Sequence, residues 1–303
     1  TEFWQRAKAE LATVAPRYNL IRIDSLCTEK HDVYLVEMRS LGNALIRGWY
    51  RVPVKPGRYP AIMQLPGYSS AELPSYVDYG DDIIGFGLNI RGHGNSRDDV
   101  NPGFPGYILS NLEDKEKYIY RGAYMDCVRG IDFLCSRPEV DASRIAVEGA
   151  SQGGALTFAT AALANDRIAV CAPQVPFLSD FRDYFIVANW PGNEFIDLVE
   201  NKKALTWNQV YHTLSYFDIK NLAPMIKAPL IMGAGLMDEV CPPHINFAAF
   251  NRLLFPAGQE GMIFTLFSIG VSAAESAVAL AIIINVYRHF HSDQVNSIEN
   301  MKL

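Results

Sequence analysis

Apolar residues recur near the start of the chain at the spacing of a helix and then at the spacing of strands. Between residues 2 and 13 they stand three or four positions apart, which predicts one amphipathic helix that buries Phe3, Trp4, Ala7 and Leu11. Three later segments alternate or are rich in β-branched residues, namely residues 20–23, 33–38 and 44–52. We expect these segments to form the antiparallel start of a sheet.

Beyond residue 60 the pattern changes to short apolar runs that alternate with helical ones. The predicted strands cover residues 61–65, 83–90, 144–147, 167–172, 229–233 and 262–267. The predicted helices cover residues 121–136, 152–164, 243–255 and 273–290. Strands that alternate with helices predict an α/β fold, with a mostly parallel central sheet and helices on both of its faces.

Residues 177–224 interrupt this alternation, because they are rich in aromatic residues and carry no strand pattern. We expect them to form a helical, cap-like insertion over the edge of the sheet. No internal repeat, low-complexity tract or linker divides the chain. The sequence therefore predicts a single domain over residues 1–303 that contains this one insertion.

Composition and charge exclude several other classes of protein. With 49% hydrophobic residues the chain can bury a large core. Its net charge of −6 disfavours nucleic acid as a partner, because nucleic acid binds basic surfaces. The five cysteines have no metal-ligand spacing, so we expect free buried thiols, no metal and no other cofactor.

Two further features bear on where the protein is located. The most apolar run, residues 277–286, is too short to cross a bilayer, so we interpret it as a buried helix and expect no membrane contact. The chain begins with Thr1, which indicates a processed or truncated start, and no signal peptide is visible. These features favour a cytoplasmic location.

The strongest chemical signal is the run Gly149-Ala150-Ser151-Gln152-Gly153, which matches G-x-S-x-G between a predicted strand and a predicted helix. This pattern is typical of a nucleophile elbow, a sharp turn that lifts a serine hydroxyl above a sheet. In the alternative interpretation, Ser151 only caps the helix. We expect the backbone N–H groups of Gln152 and Tyr68 to form an oxyanion hole, unless the loop at Tyr68 is an ordinary turn.

In this fold an acid and a histidine follow the serine along the chain. Asp238 lies in the loop after a predicted strand and is the candidate acid, although it could instead cap the following helix. The loop expected to hold the base, residues 268–272, contains no histidine. The chain has six histidines at other positions: His31, His93, His212, His244, His289 and His291. His93 either borders the pocket or is a hydrogen-bonded loop residue, and Arg91 is expected to pair with a buried carboxylate.

With these residues in place, the chain resembles carbohydrate esterase family seven, the cephalosporin C deacetylases and acetyl xylan esterases. The resemblance covers about residues 2–256. It is carried by Gly42-Asn43-Ala44 through Gly48-Trp49-Tyr50, Pro66-Gly67-Tyr68, Arg91-Gly92-His93-Gly94, Tyr120-Arg121-Gly122-Ala123-Tyr124-Met125-Asp126, Gly149-Ala150-Ser151-Gln152-Gly153-Gly154-Ala155, Leu214-Ser215-Tyr216-Phe217-Asp218 and Gly235-Leu236-Met237-Asp238 through Pro242-Pro243.

The resemblance implies an α/β-hydrolase that removes acetyl groups from small acetylated carbohydrates or cephalosporin-type esters without a cofactor. It implies Ser151 as nucleophile, Asp238 as acid, Tyr68 and Gln152 as oxyanion donors, and a ring-like homo-hexamer. The chain departs from the family at two places. The family's Arg-Gly-Gln-Gly becomes Arg91-Gly92-His93-Gly94, and its Gly-His-Glu falls on Gly270-Val271-Ser272, so Val271 stands where the base is expected.

Three functions remain open at this point. The first is a serine esterase of this family, with the base supplied by another histidine or with reduced activity. The second is a catalytically impaired relative that acts as a binding or assembly protein. The third is a different hydrolase on the same fold, such as a peptidase or a lipase, because a fold alone does not define a reaction.

Overall fold

The computed structural model describes residues 2–255. The chain divides into two compact units, Thr1–Pro256 and Ala257–Leu303, and the description below concerns the first. The predicted strand 262–267, the predicted helix 273–290 and the apolar run 277–286 lie outside the described residues. A single domain through residue 303 therefore stays a prediction.

Seven strands form one mixed sheet: β1 (Asn19–Arg22), β2 (His31–Arg39), β3 (Leu45–Pro53), β4 (Tyr59–Leu65), β5 (Ile84–Asn89), β6 (Val140–Ala150) and β7 (Val170–Gln174). Their order across the sheet is β1-β2-β3-β5-β4-β6-β7. The first three strands pair antiparallel, as predicted, and β3 also pairs antiparallel with β5. Strands β5, β4, β6 and β7 pair parallel, so their carboxyl ends lie at one edge.

Four of the described helices are twelve or more residues long: α1 (Glu2–Thr13), α2 (Ile119–Ser136), α3 (Gln152–Leu163) and, at the end of the described chain, α8 (Pro243–Leu254). Helix α1 buries Phe3, Trp4, Ala7 and Leu11, the four residues that its spacing predicts. Helix α3 is buried along its whole length, because the small and apolar residues that follow Gln152 leave no polar face.

The aromatic stretch between β7 and α8 contains four short helices: α4 (Phe181–Val187), α5 (Gly192–Ile196), α6 (Trp207–Leu214) and α7 (Ile219–Leu222). Helix α6 begins with a reciprocal cap, in which the Thr206 hydroxyl accepts from the Gln209 N–H and the Gln209 side chain accepts from the Thr206 N–H. Residues 177–224 contain no strand, as their sequence pattern predicts. The rings of Phe177, Tyr184, Phe195 and Phe217 are buried.

One predicted strand is shorter than its sequence pattern indicates. Residues 229–233 form only two isolated parallel bridges to β7, between Leu230 and Cys171 and between Gly233 and Gln174. Ile231, between these bridges, is 69% exposed. Within residues 2–255, no helix combines the length and the apolar character needed to cross a membrane.

Candidate active site

The site is built around the turn between β6 and α3. Ser151 stands between Ala150, which ends β6, and Gln152, which begins α3, and its backbone angles are φ 56° and ψ −117°. A positive φ is costly for a residue with a side chain, so surrounding contacts must hold it. Two backbone hydrogen bonds do so, from the Ser151 N–H to Gln174 O (3.0 Å) and from the Phe177 N–H to Ser151 O (3.0 Å). This is the geometry of a nucleophile elbow.

The glycines of the elbow are required by close backbone contacts. A Cβ atom on Gly153 would lie 2.2 Å from Leu65 O, at the end of β4. A Cβ atom on Gly149 would lie 2.7 Å from both Leu65 O and the Gly153 carbonyl. The elbow can therefore approach the carboxyl end of β4 only because both positions lack a side chain.

The Ser151 side chain does not cap the helix behind it. Helix α3 has Ser151 at its N-cap position, but no side-chain hydrogen bond to the helix forms there. Among the described residues, the partner of Ser151 Oγ is the thiol of Cys241, with a distance of 3.6 Å between oxygen and sulfur. Cys241 is 2% exposed, and burial raises the pKa of its thiol to about 11. The thiol is therefore protonated at neutral pH and does not serve as a base.

Asp238 lies at the same edge of the sheet as Ser151. Its Oδ1 accepts hydrogen bonds from the N–H groups of Val240 (2.9 Å) and Cys241 (2.8 Å). The carboxyl group thus organises the short turn that brings Cys241 to Ser151. Helix α8 has Pro242 at its N-cap position and no side-chain cap, so Asp238 does not cap that helix. Its second oxygen accepts no hydrogen bond from residues 2–255.

The two predicted oxyanion donors lie on neighbouring segments. Gln152 is the first residue of α3, where a backbone N–H has no partner within the helix. Tyr68 lies in a turn that is closed by a hydrogen bond from the Ser70 N–H to Gly67 O at 3.2 Å. The Tyr68 N–H has no acceptor among residues 2–255. The side chain of Gln152 joins the two segments, because its Nε2 donates to Pro66 O (3.3 Å) and Gly67 O (3.4 Å).

Aromatic side chains hold the Tyr68 loop in place. The Tyr68 ring lies 4.9 Å from that of Phe104 and 5.0 Å from that of Trp190, measured between ring centroids. The Tyr68 hydroxyl accepts a hydrogen bond from the Ile108 N–H at 3.2 Å. Phe177, whose N–H donates to Ser151 O, stacks on Trp190 with 5.3 Å between ring centroids. Aromatic rings therefore connect residues 177–224 with the Tyr68 loop.

None of the described histidines forms a hydrogen bond with Ser151. His31 binds Asp81 O and Arg51, and His212 lies exposed on α6 beside Tyr216. His244 lies in α8, and its Nε2 has no hydrogen-bond partner among residues 2–255. His289, His291 and Val271 lie outside the described residues. The described part of the site therefore contains a serine and an acid but no imidazole base.

The loop after β5 contributes structure rather than a base. His93 is fully buried and contacts Gln152 Nε2 at 2.9 Å through its own Nε2, so it is a hydrogen-bonded loop residue. Arg91 donates from Nε (2.8 Å) and Nη2 (2.7 Å) to the fully buried carboxylate of Asp126. The predicted pairing of Arg91 with a buried carboxylate is confirmed. All five cysteines are free, as predicted, but only Cys127, Cys171 and Cys241 are buried, whereas Cys27 and Cys135 are partly exposed. No cluster within residues 2–255 is arranged to hold a metal ion.

Two family models match different parts of this chain. The model described as acetyl xylan esterase (AXE1) matches residues 1–265. The model described as NADH-ubiquinone/plastoquinone oxidoreductase chain 4L matches residues 229–303. The two matches overlap, and the second continues through the segment where the resemblance to the esterases ends.

Individual relatives follow the same division. The chain is 29% identical to the acetyl esterase Axe7A of Xylanibacter ruminicola over 266 residues. The matched region covers 84% of this chain and 60% of that relative. The chain thus spans about three fifths of the length of that curated esterase. Over 73 residues this chain is 41% identical to the NADH-quinone oxidoreductase subunit K of Chlorobaculum parvum. That match covers 24% of this chain and 66% of the subunit.

Solved structures agree with the esterase match. The acetyl xylan esterase from Paenibacillus sp. R4 superposes with a TM-score of 0.77 at 35% identity, over 83% of this chain and 84% of that one. Acetyl xylan esterase 1 from a Thermoanaerobacterium species gives 0.77 at 31% identity, over 83% of each chain. The acylaminoacyl peptidase of Pyrococcus horikoshii, at 16% identity and a TM-score of 0.53, shares the fold alone.

Proposed function

Because the chain belongs to the acetyl xylan esterase family, we propose that it hydrolyses acetyl esters with Ser151 as the nucleophile. Membership of this family confirms the resemblance to carbohydrate esterase family seven, and it confirms the α/β-hydrolase fold predicted from the sequence. Family membership also supports activity as a carboxylic ester hydrolase.

The observation that carries this proposal is the elbow at Ser151. The Ser151 hydroxyl attacks the ester carbonyl, and the N–H groups of Tyr68 and Gln152 bind the oxygen as it becomes negative. Collapse of the tetrahedral intermediate breaks the ester bond, releases the alcohol and leaves an acetyl group on Ser151. Water then attacks the acetyl-enzyme, and acetate leaves as the serine hydroxyl is restored.

The described residues supply no base for proton transfer in this mechanism. A complete triad uses a histidine to take the serine proton, and an acid such as Asp238 to orient that histidine. The described site supplies no such histidine, and the nearest polar partner of Ser151 Oγ is a protonated thiol. Removing one member of a triad leaves about 10³–10⁴-fold acceleration over water from the oxyanion hole and binding. We therefore propose an esterase of reduced activity.

The second candidate is a catalytically impaired relative that binds acetylated ligands or serves in an assembly. The contact between Ser151 Oγ and the Cys241 thiol favours it, because a thiol of raised pKa does not activate a hydroxyl. A peptidase function receives no separate support, since the likeness to the acylaminoacyl peptidase extends to the fold alone.

Hydrolysis of 4-nitrophenyl acetate tests the proposal. We expect slow turnover by the protein and a loss of at least about tenfold in Ser151→Ala. The matched control is Ser143→Ala, because Ser143 is an exposed residue at the opposite end of the same strand, β6. Equal rates for the protein and for Ser151→Ala would refute the nucleophile and favour the impaired relative.

The substrate and the assembly are proposals on the same basis. We propose small acetylated carbohydrates or cephalosporin-type esters as substrates, a homo-hexamer as the assembly and the cytoplasm as the location. Rates measured with acetate, butyrate and octanoate esters test the first, and activity that rises with chain length would count against a deacetylase. Analytical ultracentrifugation tests the second, and a monomer would refute it.

A further inference from the structure

The side chain of Gln152 lies directly behind the nucleophile and is fully buried. Its Oε1 accepts a hydrogen bond from the Tyr120 hydroxyl at 2.7 Å. Its Nε2 faces His93 Nε2 at 2.9 Å on one side, and Pro66 O and Gly67 O at 3.3 and 3.4 Å on the other. One carboxamide therefore connects the helix behind Ser151, the loop after β4 and the loop after β5.

These contacts define the protonation of His93. A carboxamide nitrogen has two hydrogens to donate and accepts none, so His93 Nε2 must be the acceptor. The proton of the neutral ring then lies on Nδ1, which faces Arg91 O at 3.4 Å. The opposite orientation of the carboxamide would place its oxygen against the carbonyl oxygens of Pro66 and Gly67. The network thus requires a neutral His93 with the proton on Nδ1.

The surroundings of His93 favour the neutral ring. Its ring packs against those of Phe104 at 5.0 Å and Tyr107 at 4.7 Å. The charged groups that act on it are Arg97, which disfavours a second positive charge, and Asp126, which is already paired with Arg91. Burial is the largest effect on the pKa of His93, which falls from 6.5 to about 4. The hydrogen bond with the Arg91 carbonyl raises this pKa, and the charge of Arg97 lowers it further.

We propose that His93 is a positioning residue for the oxyanion hole. By accepting one hydrogen of the Gln152 carboxamide, it directs the other hydrogen at the carbonyls of Pro66 and Gly67, and this fixes the loop that carries the Tyr68 N–H. The inference rests on the proposed function, because it concerns the stabilisation of the same oxyanion. His93 would then affect kcat through the position of the Tyr68 N–H, without transferring a proton itself.

Protonation breaks this arrangement, because an imidazolium has no acceptor to offer to Gln152. The folded protein resists protonation until about pH 4, whereas the unfolded chain takes up the proton near pH 6.5. The contribution of His93 to stability is therefore complete above pH 6.5 and is lost as the pH falls toward 4. Glutamine at position 93 offers an acceptor oxygen and does not titrate, whereas leucine does not titrate and offers no acceptor.

The test compares His93→Gln and His93→Leu with the wild-type protein, and uses His212→Gln as the matched control because His212 is exposed on α6. Three quantities are measured between pH 4.5 and 8: kcat and KM for 4-nitrophenyl acetate, and the melting temperature. We expect His93→Leu to lose about 10-fold to 100-fold in kcat at pH 7 with KM changed less than about twofold, and His93→Gln to retain kcat within about threefold. We expect the melting temperature of His93→Gln to fall less than that of the wild type below pH 6.5.

Each result decides one step. An unchanged kcat in His93→Leu, or a loss in His93→Gln as large as that in His93→Leu, would overturn the positioning role. Melting temperatures of wild type and His93→Gln that fall in parallel with pH would overturn the hydrogen bond from Gln152. If Ser151→Ala hydrolyses the ester as fast as the wild type, the proposed function fails, and the melting temperatures alone then decide whether His93 holds the loop. If His93→Leu does not fold, the pH profile of His93→Gln decides in its place.

Discussion

A buried carboxyl group on the loop that follows Tyr68 should make the protein less stable as the pH rises. Glu72 is 5% exposed, and its Oε2 has no hydrogen-bond partner among residues 2–255. Its backbone is held by Asn89, whose side chain accepts from the Glu72 N–H (2.8 Å) and donates to Glu72 O (3.1 Å). The side chain lies against β5, where a Cβ atom on Gly87 would stand 3.0 Å from the Glu72 Cβ. The carboxyl group therefore has little freedom to turn toward water.

The size of the effect follows from the change in pKa. Burial, and secondarily the negative charge of Glu148, raise the pKa of Glu72 from 4.5 to about 7. Glu148 itself accepts a hydrogen bond from the Tyr79 hydroxyl at 2.5 Å. The unfolded chain ionises near pH 4.5, while the folded chain stays neutral until about pH 7. The stability present below pH 4.5 is thus lost as the pH rises to 7, by about 3 kcal/mol at most.

Urea denaturation of the wild type and of Glu72→Gln at pH 5 and pH 8 checks this value. We expect the wild type to lose about 2–3 kcal/mol of unfolding free energy relative to Glu72→Gln between the two pH values, because glutamine does not ionise. The matched control is Glu113→Gln, since Glu113 is exposed. Equal losses in the wild type and in Glu72→Gln would refute the reasoning, and so would a larger loss in the variant.

Three further changes test other parts of the site. Gly153→Ala should destabilise the protein by more than about 3 kcal/mol in urea denaturation, because the new Cβ would lie 2.2 Å from Leu65 O; a loss under about 1 kcal/mol would contradict this. Cys241→Ala should keep ester hydrolysis within about threefold, and a loss of about 100-fold would show that the thiol takes part in the chemistry. Replacing residues 257–303 by the corresponding segment of the Paenibacillus sp. R4 enzyme should raise kcat by about 10³-fold or more, whereas Val271→His alone should not.

Most of the fold is visible in the sequence because the packing pattern is local. The helix over residues 2–13 and the helix that follows Ser151 occur within one residue of their predicted ends. Strand β6 is longer than predicted at both ends, and at its start the polar or exposed residues 141–143 hide the strand pattern. The strand predicted at 229–233 is reduced to two bridges. In both cases the difference arises at an edge or an end, where pairing depends on the neighbouring strand.

The site was predictable only where it depends on a short motif. Ser151 and the Gln152 N–H follow from the elbow, and Asp238 follows from its position after a strand. The roles of Cys241 and His93 were not predictable, because their contacts with the elbow join residues 90 and 59 positions apart. Cys241 stands three residues after Asp238, and the turn that Asp238 organises is the feature that could have indicated its position.

The missing histidine and the second family match concern the same part of the chain. The acetyl xylan esterase match ends at residue 265, and Val271, where the family's base is expected, lies beyond it and inside the match over residues 229–303. The absence of the histidine is therefore not an isolated substitution within an esterase-like segment. An imidazole acts as a base only when its position relative to Ser151 and Asp238 is fixed to within a few tenths of an ångström. Residue 271 lies outside the esterase match, so the residues around it are not those that position the family's base. We therefore expect exchange of the whole segment, rather than Val271→His alone, to restore the triad.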